Sequence, residues 1–357
     1  MAAEVVRVML KLALPRRGPG TAELHSCRRL RAALVAAAAG VLFARAGIVC
    51  AQGQLSLSLA ANSVATVAGA ERPAFAAGRQ LSLDRFRGPD GETDGGGASD
   101  QTGFRTRALM WGGAAAVGIY GATTWWKAGV GGHFRSTDEG WFAQDTYAGG
   151  ADKLGHLYSA YVGTRLLTRG YQWAGNDRRR SMRLAAATTL GTLMAVELMD
   201  GFSKEYRFSL QDAVMNAVGT GMGLVLEQHP QLDNLIGFRL RYWPSEGAAF
   251  DPVDNYSGQT YLFVLKAEGI PQLEHYPLLR YLELAVGYGS RGYESTNPAG
   301  HSRHVYYGLT LNLSRVLNDT VFRGERRAST AQHVADTFLK FVQLPGTTLL
   351  ADHQLSR

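Results

Sequence analysis

Cysteine is nearly absent from this chain of 357 residues: there are two, Cys27 and Cys50, both within the first 51 residues. The remainder therefore has no disulfide framework and no thiol chemistry. Excess charge of one sign is missing too, once the charges are located. The formal charge is +7, but residues 1–51 carry eight Lys/Arg against two acids, a balance of +6. The body is left at +1, with no electrostatic footprint for a phosphate backbone, so nucleic acid is excluded as a partner. Signature motifs are equally scarce. There is no H-E-x-x-H, no nucleophile in a recognised setting, and GTGMG (Gly219 to Gly223) lacks the strand and spacing of a phosphate loop. Nucleotide binding is excluded with it.

What is present begins with a leader. RRLR (Arg28 to Arg31) forms a positive region, AALVAAAAGVLFARAGIV an apolar one, and Val49 and Ala51 occupy the two recognition positions for cleavage after Ala51. Residues 1–51 read as a signal peptide, which places the protein in the periplasm or an envelope membrane of a Gram-negative-type bacterium. GIVC offers Cys50 for lipid attachment, but with valine where a small residue belongs, so cleavage is favoured over lipidation.

Residues 52–105 read as a flexible linker, since GPDGETDGGGASD cannot build a core. Four helical runs follow, at 106–127, 152–170, 180–201 and 209–228, with Ser209 as an N-cap. The first has no charge from Ala108 to Trp126, a length that approaches a membrane span, and Trp111, Trp125 and Trp126 stand where interfacial aromatics would. After 240 the period changes to two. Residues 259–269, 280–289 and 304–314 alternate as strands, and 329–343 is amphipathic. Three strands are too few to close a barrel of about eight. The expected fold is α+β: a bundle of about four helices over 106–245, a small antiparallel sheet with a terminal helix over 246–345, and a tail over 346–357.

The chemistry lies in polar stripes on these helices. Asp152, His156, Ser159 and Gly163 stand at offsets 0, 4, 7 and 11, one narrow face; Asp212, Asn216, Gly219 and Gly223 repeat the spacing. Glu197 and Asp200 share a face of the third run, where Ala187, Gly191 and Ala195 offer a stripe for close helix approach. A buried carboxylate is costly unless paired, and neither the third nor the fourth helix carries a cation on its acidic face. Lys153 and His156 are the nearest candidates. The expectation is one cluster of Asp152, Lys153, His156, Glu197, Asp200, Asp212 and Asn216. Three readings stay open: a satisfied network fixing helix register; a divalent metal site using His156, Glu197, Asp200 and Asp212; and an acid/base site with His156 as base and a raised-pKa carboxylate such as Glu197 as acid. His133, His229, His301 and His304 lie outside the stripes, and His229 suits a helix C-terminus.

DKLGH, AVELMDGFSKE and SLQDAVMNAVGTGMG in this order resemble the YfiM-like family of predicted bacterial periplasmic lipoproteins of unknown function. Asp152, Lys153, His156, Glu197, Asp200, Asp212 and Gly219 fall on that family's pattern. The VanZ-like membrane proteins are more distantly similar, sharing Asp-Lys-x-x-His and Asp-x-x-x-Asn-x-x-Gly. The resemblance spans about residues 125–245. It implies an envelope location but no activity. Taken together, the residues point to a membrane-associated helical domain with a structural polar cluster, its partner a membrane lipid or envelope component. The alternative is a metal-assisted or acid/base hydrolase acting on an envelope lipid or glycan.

Overall fold

The computed structural model describes residues 95–274, 276–293, 300–323 and 329–355. The leader and most of the linker lie outside them. Four long helices occupy the expected runs: α1 (Gly95–Thr123), α2 (Ala151–Trp173), α3 (Arg178–Phe202) and α4 (Leu210–Gln228). Helix α1 begins at Gly95, inside the span expected to be linker. Local signals set the other ends. The Asp177 carboxylate accepts from the Arg180 N–H at the start of α3, and the Ser209 hydroxyl accepts from the Asp212 N–H at the start of α4. His229 terminates α4 and Pro230 opens the short α5 (Pro230–Leu235).

The tight unit is α2 with α3 and α4. At Gly219 an added Cβ would stand 2.1 Å from the Leu157 carbonyl oxygen, so α4 touches the α2 backbone directly. Gly163 approaches Thr189 of α3 in the same way. The stripe at Ala187, Gly191 and Ala195 does the opposite of what its spacing suggests. All three residues are exposed, and nothing lies within 4 Å of Gly191. Small residues permit close approach but do not choose a partner, and the other side of α3 carries the acids.

Helix α1 is held more loosely, by Asn176 Nδ2 to Thr106 Oγ1 at 2.8 Å and by Arg105 over Trp173. Just beyond its end, Trp125 Nε1 donates to Asp254 and Trp126, itself buried, donates its Nε1–H to Asp200, because an indole N–H withdrawn from water takes a partner where one is offered. Trp111 alone of the three is strongly exposed. The described helix long and apolar enough to cross a membrane is α3, not the 108–126 run.

Beyond α5 the chain forms a five-stranded antiparallel meander: β3 (Ile236–Tyr242), β4 (Gln259–Lys266), β5 (Leu282–Arg291), β6 (Ser302–Leu311) and β7 (Thr348–Gln354). Two-residue strands β1 (Ser136–Thr137) and β2 (Phe208–Ser209) pair separately. The expected three strands are β4, β5 and β6. The expected tail is an edge strand, and β3 lies within the span read as helical. Short helices α6 (Pro271–Glu274) and α7 (Leu313–Thr320) sit in the connections, and α8 (Thr330–Phe341) is the amphipathic segment. After α8, Val342 bridges Leu240 in parallel and the Gln343 N–H donates to the Leu240 carbonyl at 2.9 Å. The sheet is thereby rolled, its last segment returned to its first strand.

The inner face is mixed: Leu262, Val264 and Ala285 form a small apolar cluster beside a buried polar network. Arg239 makes a two-pronged bond to Glu283 at 2.6 and 2.7 Å and a third to Gln343 at 2.7 Å, and the Thr310 hydroxyl donates to Glu283 at 2.9 Å; all four residues are buried. A fork-to-carboxylate pair is the geometry that offsets the desolvation of both charges. The helices cover one end of the outer face through a core of Leu154, Leu157, Tyr161, Met215, Leu226, Phe238, Tyr261 and Phe341. The rest of that face is bare: Phe263, Leu265, Leu284, Val286, Tyr307, Leu309 and Leu349 are exposed, Leu284 and Val286 at 58% each.

Candidate functional site

The site starts from a tight turn. Ala148, Gly149 and Gly150 take φ of 48°, 60° and 83°, three consecutive left-handed residues that reverse the chain into α2. Glycine carries two of these at no steric cost. The Tyr288 hydroxyl donates to the Gly149 carbonyl and anchors the turn to the sheet. Asp152 and Lys153 follow in the first turn of α2, both buried.

Lys153 is 0% exposed, and its ammonium is the centre of the cluster. Nζ stands 2.8 Å from Asp212 Oδ1, 3.0 Å from Asp212 Oδ2 and 3.2 Å from Asp152 Oδ2, and it pairs with Glu139 as well. Burial opposes the ammonium, but Asp152 and Asp212 outweigh it and hold its pKa above the ordinary lysine value. One turn on, His156 Nδ1 lies 3.2 Å from Asn216 Oδ1 and 3.3 Å from Glu197 Oε1, while Nε2 lies 3.6 Å from Asp152 Oδ1. The Tyr256 hydroxyl closes the far side of Asp152 at 2.6 Å.

Six of the seven predicted residues thus touch within one group: Asp152, Lys153, His156, Glu197, Asp212 and Asn216. Asp200 is the neighbour rather than the member. Its carboxylate accepts from Trp126 Nε1 at 2.6 Å and makes no direct bond to the other six. Three participants escaped sequence reading. Glu139 sits in a loop with no periodicity to flag it. Trp126 and Tyr256 come from segments whose residues say nothing about which acid they will meet. Exposed His133 does not join, and His304 pairs with Asp352 on the sheet.

The electrostatics separate the roles. Burial works against charge on His156, yet Asp152, Asp212 and Glu197 overcome it and lift the imidazole to about 9. Burial pushes Glu197 up to about 8, against the pull of His156, and Asp200 to about 6, against its bond from Trp126. Burial also raises Glu139, with Lys153 opposing. At neutral pH two cations, Lys153 and His156, face the acids of the cluster, and burial favours the protonated form of Glu197 while His156 favours its anion. An imidazolium donates from both nitrogens, which matches an amide oxygen on one side and a carboxylate on the other. It is not a general base at that pH.

Metal donors are present in a set different from the expected one. Oxygens of Asp152 and Asp212 and a ring nitrogen of His156 lie within 4.8 Å of one another; Glu197 and Asp200 are not part of this group. One imidazole and two carboxylates is a donor set a divalent ion accepts. Here, however, Asp152 and Asp212 already serve the Lys153 ammonium, so an ion would have to displace a buried lysine.

Fold and site together define an α+β protein with a largely buried ionic cluster gathered by three helices. Residues 138–228 match the model of a family described as predicted periplasmic lipoprotein (DUF2279), a family of unknown function. The match covers Glu139 and the three helices of the cluster, but not Trp126, Tyr256 or the sheet. It supports an exported periplasmic or envelope location, the compartment indicated by the leader. No curated protein and no solved structure matches the chain.

Proposed function

We propose that this is a membrane-associated, non-catalytic envelope component whose polar cluster is structural, locking α2, α3 and α4 in one register. The observation that carries the reading is inside-out polarity. Helix α4 turns Asp212, Asn216, Gly219 and Gly223 inward and leaves Leu210, Val214, Val218 and Val225 exposed, Leu210 at 64%. No charged residue interrupts α4 between Asp212 and Glu227. Helix α3 buries Glu197 and exposes Ala187, Gly191, Ala195, Leu198 and Phe202. The rolled sheet repeats the scheme in part, with Arg239 and Glu283 inside beside Leu262, Val264 and Ala285, and with Leu284, Val286 and Tyr307 bare outside.

A water-facing helix shows its polar stripe to solvent and buries the apolar one. Inversion in three elements favours surroundings that are themselves apolar, and extended bare patches of this kind mark membrane or partner contact. Acids gathered around cations in the interior are what such surroundings require. The hydrolase reading is less well supported, because it needs a neutral imidazole at His156 that the surrounding acids oppose.

Vesicle flotation of the chain from residue 52 onward tests the proposal. The expected result is that it floats with phospholipid vesicles and that Val214→Asp with Val218→Asp shifts it to the soluble fraction. A wild-type chain that stays soluble and monomeric without detergent and ignores vesicles refutes membrane association.

A further inference from the structure

The inner face of the rolled sheet ends in a cleft of about 790 Å³ that nothing above uses. Arg241 and Arg291 line it with Thr260, Ser257, Trp243 and Gly346. The two arginines come from different strands, β3 and β5, yet both guanidiniums lie over the same ring, Tyr306, at 5.3 and 5.6 Å. Both also donate to one hydroxyl, Thr260 Oγ1, at 3.4 Å from Arg241 and 2.8 Å from Arg291.

Their other bonds are to neutral acceptors. Arg241 Nη1 reaches Thr348 Oγ1 at 3.1 Å, and Arg291 Nη1 reaches the carbonyls of Gln259 and Ser290 at 2.9 and 2.6 Å. No described carboxylate forms an ion pair with either group. The contrast within the chain is plain, since Arg165, Arg239, Arg280 and Arg315 each pair with an acid. Two acids are near but otherwise placed. Asp352 is bonded to His304 at 2.7 Å, and Glu246 lines the cleft as an exposed rim residue. Burial lowers the pKa of Arg241, with Arg291 adding to it, against the opposing pull of Tyr306 and of the Asp352 carboxylate.

Two half-buried like charges held side by side, with no acid bonded to either and only Asp352 acting at a distance, are unfavourable in the empty state. The sheet nevertheless fixes both, through register, a shared ring and a shared hydroxyl. Guanidinium forks match planar or tetrahedral oxyanions, and each carries five N–H donors, of which the bonds above use only part. A single carboxylate satisfies one fork. A phosphoryl dianion satisfies two, in charge and in number of acceptor oxygens.

We propose that this cleft is a binding site for a phosphoryl group, gripped by Arg241 and Arg291 with Thr260 holding the two in place. Exposed Trp243 at the rim supplies an apolar flank for whatever the phosphoryl group is attached to. The shared chemistry is a phosphate monoester or free phosphate. A lipid headgroup and a soluble phosphate are separable sources. The site lies beyond the family match and does not depend on the membrane reading.

The test is titration of the full mature chain with inorganic phosphate and with glycerol 3-phosphate, read by Trp243 fluorescence, with Trp243→Phe identifying the signal. In parallel, vesicles of phosphatidylcholine are compared with vesicles containing phosphatidic acid. Saturable binding of either soluble phosphate, or tighter binding to phosphatidic acid vesicles, weakened at least tenfold by Arg291→Gln and by Arg241→Gln, supports the site and tells its source. Acetate should bind at least tenfold more weakly than phosphate. If Arg241→Gln does not fold by circular dichroism, Arg291→Gln and the intermediate Arg241→Lys decide. No saturable phosphate signal together with no gain from phosphatidic acid overturns the proposal, as does an Arg291→Gln chain that binds like wild type.

Discussion

Replacing Lys153 with methionine puts the ionic cluster to its sharpest test. The side chain is fully buried, and methionine occupies nearly the same volume, so the change removes charge rather than packing. Three carboxylates lose their common cation. Asp152 keeps the Tyr256 hydroxyl at 2.6 Å and the His156 ring at 3.6 Å. Asp212 keeps no bonded cation: among the described residues Lys153 is its one ion-pair partner, and the His156 ring stands off within 4.8 Å. Removing one side of a buried pair costs about 3–5 kcal/mol, because the other side stays charged in a dry place. With Asp212 left without a bonded cation we expect a loss of about 4 kcal/mol at pH 7, by the same rule. At about 2–4 °C per kcal/mol for a domain of this size, the melting temperature should fall by roughly 8–16 °C.

The pH dependence gives the sign. A carboxylate left buried without its cation is relieved by protonation, so the deficit of Lys153→Met against wild type is greatest at pH 7 and smaller at pH 4. Adding Asp212→Asn should recover a good part of the loss, since the two side chains are in contact. Urea unfolding followed by circular dichroism at pH 4, 5.5 and 7 measures all of this. A loss under about 1 kcal/mol, the size of an exposed pair, or a deficit flat across that range, means that Lys153 is not the counter-charge and the structural reading of the cluster fails.

Other outcomes follow from the same geometry. Glu197, held near 8 instead of 4.5, binds its proton more tightly folded than unfolded, so between those values stability falls as pH rises; Glu197→Gln should flatten the slope and gain on wild type from pH 6 to 9 in thermal melts. His156, lifted from 6.5 to about 9, contributes stability that is complete below 6.5 and lost as pH climbs to 9, and His156→Gln should lose that contribution, leaving variant and wild type closest at pH 9. Gly219→Ala drives a methyl into the Leu157 carbonyl and should cost at least about 2 kcal/mol in urea unfolding, as overpacking does. Elemental analysis of purified protein should show no stoichiometric metal, and a chelator should leave the melting temperature unchanged; a bound ion lost in His156→Ala would show that the ammonium does yield its acids.

Local regularities were enough to locate the elements. Largely apolar runs with polar ends mark α2, α3 and α4 to within a few residues, with Ser209 before the last, because capping and period act over one or two turns. The offsets of Asp152 and His156, and of Asp212 and Asn216, likewise place each pair on one face, since a helix turns about 100° per residue whatever surrounds it. The need of buried acids for cations drew the stripes toward Lys153 and His156. What stood in no local pattern was decided by packing across long separations. Glu139, Trp126 and Tyr256 enter the cluster from a loop, a helix end and a sheet connection. The stripe of Ala187, Gly191 and Ala195 faces outward although its spacing equally allows an inner seam. The final strand occupies a stretch with no marked alternation, paired by β6 rather than by its own pattern. Period assigns residues to a face, but which face is covered depends on the neighbours that arrive from elsewhere in the chain. In this protein the faces covered between α2, α3 and α4 carry the charges.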